Sequence, residues 1–238
     1  MIPYKHRYRG ERVSMSGAFY SRPYGDYILM NGARRREATL TVYHEYVHAV
    51  LRNNLPGLPL WLEEGLAEFF STFEHVDGQG RIGRPLERHL RELSKGEPLG
   101  LDELLAIDAE SPRYNVFEHQ GELYARSWEL VHYLLLGSDE RRRQMLDFLR
   151  LGFRGIAQDE AFHRAFAVSY ETLEKELADY RERVFRAEDD KAKEDEAKED
   201  EAKDDGAKGF QAELVDLDVA PAHTFQLRSV PYTQMLVN

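Results

Sequence analysis

The sequence predicts an α+β fold: a small, mostly antiparallel N-terminal sheet packed on a pair of helices, followed by a helical subdomain. Three observations predict it. Residues 1–36 carry short strand-like runs bounded by Gly, Asp and Asn. Residues 37–74 hold two helical runs separated by the breaker Asn53-Asn54-Leu55-Pro56-Gly57-Leu58-Pro59. From Pro85 to about residue 186, apolar residues recur at helical spacing. With 238 residues, 42% hydrophobic content, 12 Phe, 13 Tyr and 2 Trp, the chain can build one domain of ordinary size plus an extension.

In chain order, 13–20 is the first strand-like run. A better one is 27–30, Tyr-Ile-Leu-Met, bounded by Gly25-Asp26 and Asn31-Gly32. An edge strand in that place could hold an extended peptide by strand addition; equally, it could be an ordinary hairpin strand closing the core. Asp77-Gly78-Gln79-Gly80 reads as a turn. The helical subdomain starts with 85–95, which ends at Gly96 and Pro98, and continues with 101–107, which stops before Ser111-Pro112. The segment 118–136 has a broad apolar face from Leu123, Trp128, Leu130, Val131, Tyr133, Leu134 and Leu135. Helices at 139–151, 158–167 and 170–187 complete it.

These elements make one domain over 1–186. Residues 187–209 read as an acidic low-complexity linker, where Glu194-Asp195-Glu196-Ala197-Lys198 repeats as Glu199-Asp200-Glu201-Ala202-Lys203. From 188 to 208 there are eleven acidic residues and five lysines, which carry −6 of the net charge of −11. So charged a segment cannot bury a core and is expected to be a solvated linker or a lone charged helix. Residues 210–238 read as a short tail or the start of a further module, with strand-like alternation near 213–219 and 224–230.

Composition excludes several classes. No basic stripe is interleaved with aromatics, so nucleic-acid binding is not indicated. No stretch approaches the ~20 apolar residues of a membrane span. Without cysteine there are no disulfides and no thiolate ligands, and the metal-ligand pool is His, Asp and Glu. The start, Met1-Ile2-Pro3-Tyr4-Lys5, has no signal-peptide pattern and reads as though upstream residues were missing, so export stays open. Oligomeric state is not legible.

The most informative run is His44-Glu45-Tyr46-Val47-His48, an HExxH motif. Residues i and i+4 lie about 40° apart around a helix and about one turn along it. Both imidazoles can therefore reach one zinc ion from one face. Glu45, on the neighbouring face, is placed to take a proton from a zinc-bound water. A catalytic site on two His needs a third protein ligand and one open position. The second helical run, Leu60-Trp61-Leu62-Glu63-Glu64-Gly65-Leu66-Ala67-Glu68-Phe69-Phe70, supplies carboxylates. Spacing alone does not choose between Glu63 and Glu64. Gly65 would let the two helices approach closely.

HEYVH followed by PLWLEEGLAEFF resembles the gluzincin zinc metallopeptidases of the peptidase MA-like group, closely over 39–70 and loosely to about residue 186. The resemblance implies a zincin-like domain, with Glu64 as third zinc ligand beside His44 and His48. It implies Glu68 as the carboxylate orienting a ligating His. It also places Tyr124 where related aminopeptidases carry a tyrosine that stabilises the oxyanion. Arg126 and Ser127 depart from the Lys-Gly pair that follows that tyrosine. His119 and His132 are alternates to Tyr124. No Gly-x-Met-Glu-Asn stretch precedes the motif, which favours endopeptidase over aminopeptidase action. The implied reaction is zinc-dependent peptide-bond hydrolysis on a peptide or protein substrate, with Glu45 as general base. The alternative is a protein-binding helical module whose zinc site is structural or degenerate.

Overall fold

A computed structural model of the chain describes residues 5–8, 11–14, 17–22, 25–30, 35–76, 79–96 and 98–201. The readings for 210–238 lie outside them. The architecture is α+β, as predicted. Strands β1 (Lys5–Tyr8) and β2 (Glu11–Ser14) pair antiparallel, as do β3 (Gly17–Arg22) and β4 (Gly25–Met30), with Phe19 opposite Ile28. The strand expected at 13–20 is thus divided between β2 and β3. Each strand pairs with its immediate neighbour in the chain, so the described strands form separate two-stranded ladders rather than one sheet.

Helix α1 (Arg35–Asn54) carries the HExxH run and contacts both β3 and β4. It ends where Pro56 disfavours helix at the preceding residue and Gly57 takes φ +83°. The Asn53 and Asn54 side chains donate back to the carbonyls of Ala49 and Val50, at 2.9 and 2.8 Å. After five residues α2 (Leu60–Ser71) begins. It is apolar on most sides because it is covered from two directions, by α1 and by α6 (Phe117–Leu136). Trp61, Leu62 and Phe69 are 0–1% exposed.

Gly65 corrects an expectation. It faces α6 rather than α1: a Cβ there would collide with the Ser127 carbonyl oxygen and Val131 Cγ2. Glu64 and Glu68 take the α1-facing side of α2, so a residue one step on from Glu64 is turned about 100° away.

A hairpin follows, β5 (Glu74–Val76) with β6 (Gln79–Arg81), so Gln79 and Gly80 belong to a strand rather than a turn. Helices α3 (Glu87–Leu93), α4 (Leu101–Ala106) and α5 (Pro112–Asn115) lead into α6, which packs against α2, α3, α5 and α7 (Asp139–Phe153). Helix α5 was not expected from the sequence. Helix α8 (Gln158–Phe166) packs on α7, and α9 (Tyr170–Glu201) contacts α6 and α4. Helix α9 does not stop at 187; its backbone continues into the acidic repeat, to Glu201. Among the described residues no helix is long and apolar enough to cross a membrane.

Candidate metal centre

Helix α1 sets His44 and His48 one turn apart, with ring centroids 4.7 Å apart and the two Nε2 atoms at 3.0 Å. Helix α2 brings up Glu64, 1% exposed, whose Oε2 lies 3.3 Å from each Nε2. The three atoms form a nearly equilateral triangle. Three ligand atoms about 2.0–2.1 Å from a tetrahedral metal ion stand about 3.3 Å from one another. Glu64 Oε2 is buried and has no hydrogen-bond partner, an arrangement that is costly unless a cation completes it. His44, His48 and Glu64 could therefore hold a metal ion. Glu63 is not in this group. It is half-buried near His48, and burial first, then the Glu64 charge, push its carboxyl up.

Without a metal, protons take part of the cation's place. Burial opposes charge on both His44 and Glu64. Interactions overcome it: Glu64, Glu68 and Glu45 hold the His44 imidazole up to about 9, and the two histidines hold Glu64 down to about 2.

Behind His44 stands Glu68, 3% exposed, with Oε1 3.4 Å from His44 Nδ1. Its Oε2 accepts from His89 Nε2 at 2.9 Å and from Arg88, both on α3. Burial works against the charge on Glu68, but His89, His44 and Arg88 keep its carboxyl well below the usual range.

Tyr124, on α6, stands edge-on to His44 with ring centroids 6.0 Å apart. Burial first, then the charge of Glu64, Tyr114 beside it, and the charges of Glu68 and Glu45, raise its pKa well above the ordinary value, so the hydroxyl stays a donor. A second tyrosine reaches the site without having been expected. The Tyr114 hydroxyl is raised first by the charge of Glu64, then by burial and a hydrogen bond with Glu64, with Glu45 and Glu63 contributing. Glu45 is partly buried, and its charge is felt at His44, Tyr114 and Tyr124.

The alternates separate clearly. His119 is exposed. His132 is a core residue, 8% exposed, that accepts from the Tyr180 hydroxyl at Nδ1 (2.7 Å) and bonds the backbone of Gly83. Arg126, fully buried, points into a salt-bridge network away from the metal centre. Tyr114, Arg88 and His89 were missed. The helix start at Ser111-Pro112 was visible as a stop signal but not as a new helix, and no pattern in 85–95 says which way His89 turns.

A family model described as "Protein of unknown function (DUF1570)" matches residues 38–157, half of the chain. The chain belongs to the DUF1570 family. The DUF1570 match runs from the first turns of α1 to the start of α8, so it takes in both histidines, Glu64, Glu68, α3 and both tyrosines. No curated protein and no solved structure matches the chain.

Proposed function

We propose that this protein is a zinc-dependent metallopeptidase of the gluzincin type, acting as an endopeptidase. One observation carries the reading: two His Nε2 atoms and an unpartnered carboxylate oxygen at tetrahedral-edge spacing, with the Glu of the same HExxH run beside them. The donor set suits zinc, because His2Glu with an open position is a known catalytic zinc set and the chain has no thiolate to offer. Zinc held there supplies Lewis acidity, polarising an amide carbonyl and acidifying water.

The protein's own groups do the rest. Glu45 accepts a proton and returns it to the departing amine nitrogen. Tyr124, kept protonated by its surroundings, donates a hydrogen bond where negative charge develops on the carbonyl oxygen. Tyr114 presents a second hydroxyl beside Glu64. Among the described residues the ligand group has three members, one short of the four that close a structural zinc site. That favours hydrolysis over a structural zinc in a protein-binding module.

The test pairs metal analysis of the purified chain with digestion of a peptide library. One equivalent of zinc and internal cleavage, both lost on chelation, are expected. A chain that binds no divalent metal, or a zinc-loaded chain that cleaves no peptide, would overturn the proposal.

A further inference from the structure

Glu68 is approached from two helices, by His44 on α1 and by Arg88 and His89 on α3. Its Oε2 takes His89 Nε2 at 2.9 Å and the Arg88 guanidinium, while Oε1 is left facing His44 Nδ1 at 3.4 Å. An ionised carboxylate only accepts. So His89 must present Nε2–H, and the Glu68 charge 3.4 Å from His44 Nδ1 favours a proton on that nitrogen. A metal that replaces the second proton of His44 would then meet the Nε2 lone pair, on the side that faces Glu64 Oε2 and His48. His89 is 1% exposed, its ring packs on Trp128 with centroids 5.1 Å apart, and its Nδ1 has no hydrogen-bond partner. A buried polar ring that leaves one nitrogen unsatisfied is costly in a core; phenylalanine would pack there without that cost. Among the described residues, the hydrogen bond this ring makes is to Glu68.

We infer that Arg88 and His89 are positioning residues for the metal centre: by holding Glu68 Oε2 they turn Oε1 onto His44 Nδ1–H and fix His44 in the metal-binding tautomer. Helix α3 is in this way part of the site although it contributes no ligand. The inference rests on the metal-site reading above, and on geometry rather than on catalysis. It requires no particular substrate. Arg88 serves from a half-exposed position, with 47% of its side chain accessible, whereas His89 serves from the core. The two therefore differ in how much of the fold depends on them.

The experiment uses the full chain, stripped of metal. Zinc affinity is read by competition with a chelator, and coordination by the visible spectrum on titration with Co2+. His89→Phe keeps a ring on Trp128 and removes the donor. It should weaken zinc binding about 10- to 100-fold, the usual loss when the partner behind a ligating His is disturbed, and alter the Co2+ spectrum. His89→Gln, which can still donate to Glu68, should restore most of the affinity. Arg88→Met should give a smaller loss in the same direction, with Arg88→Lys intermediate. Unfolding midpoints of the metal-free variants separate this from a structural role, in which His89→Phe moves the midpoint but not the affinity. If His89→Phe does not fold, Arg88→Met decides. Wild-type zinc affinity in His89→Phe and Arg88→Met would overturn the inference and leave the metal site standing. A wild-type chain that takes no metal would overturn both.

Discussion

Two of the clusters of charged side chains among the described residues, one around Arg126 and one around Glu64, are built differently. In the first, Arg126 is 0% exposed and every direction of its guanidinium is answered. Nε donates to the Leu99 carbonyl at 2.8 Å, Nη1 meets Glu129, and Nη2 donates to both Glu174 oxygens at 2.8 and 2.7 Å. Arg181 closes the other side of Glu129 at 2.6 and 3.2 Å, and the Leu101 amide donates to Glu174 at 2.7 Å. This cluster locks α6 to α9 and to the start of α4. In the second, His44, His48 and Glu64 turn their metal-ligating atoms toward one another at 3.0–3.3 Å, and no hydrogen bond of good geometry reaches Glu64 Oε2. Each cluster is centred on a fully buried group, Arg126 or Glu64, but only the first is closed. A network meant to hold helices pairs each anion with a protein cation, whereas a network meant to hold an ion keeps one cation's place free.

The comparison can be broken at either end. The largest effect is expected for His44→Ala. It removes one of three ligands, so the chain should retain no stoichiometric zinc after dialysis, as measured by elemental analysis. Zinc is expected to raise the unfolding midpoint of the wild type by binding the folded state preferentially, and should no longer do so in His44→Ala.

Glu129→Ala should do the reverse. It leaves Arg126 Nη1 and Arg181 without their carboxylate while Glu174 still pairs Arg126, and should cost about 1.5–3 kcal/mol in urea unfolding, the range for hydrogen bonds to charged groups. Metal affinity per folded molecule should be unchanged. A Glu129→Ala chain that loses zinc as readily as His44→Ala would mean that the two clusters are not separate.

Glu45→Gln should keep zinc and lower peptide hydrolysis about 10²–10⁴-fold, the usual worth of a general base. Turnover near the wild-type rate would remove Glu45 from the chemistry. Tyr124→Phe should lower the turnover constant about 10²–10³-fold with little change in KM, because the bond to the oxyanion forms mainly in the transition state. Tyr114→Phe, compared side by side, identifies which hydroxyl faces the substrate: the one whose loss falls on kcat.

The smallest effect is a pH dependence that contrasts two histidines. Burial first, and the nearby His89 charge, hold His132 down to about 4. The unfolded chain therefore takes up that proton before the folded one does. Stability from neutral His132 is full above about pH 6.5 and is lost as pH falls toward 4. His44 in the metal-free protein is held up to about 9, so its contribution is full below about pH 6.5 and is lost as pH rises through 9. His132→Gln should flatten the acid limb by about 1–3 kcal/mol and leave the alkaline limb alone. An unchanged acid limb would show that His132 takes up its proton as readily in the folded protein as in the unfolded chain.

Some of this protein could be read directly along the chain. The His44–Glu45–His48 spacing, the breaker before α2 and the apolar stripe of α6 are local, and helical period and stop signals report local geometry well. Glu64 over Glu63 was different: spacing left it open, resemblance favoured Glu64, and the α1–α2 packing brings Glu64 Oε2 within 3.3 Å of both histidines. Tertiary packing alone settled the rest. Gly65 faces α6 rather than α1, His89 turns inward to Glu68, Tyr114 arrives on a four-residue helix, and Arg126 enters a closed ionic network. A helical sequence fixes the angles between its own side chains, but not the rotation of that helix against its neighbours. That rotation is chosen by long-range burial, here of Trp61, Phe69 and Trp128, and it decides which polar side chains meet.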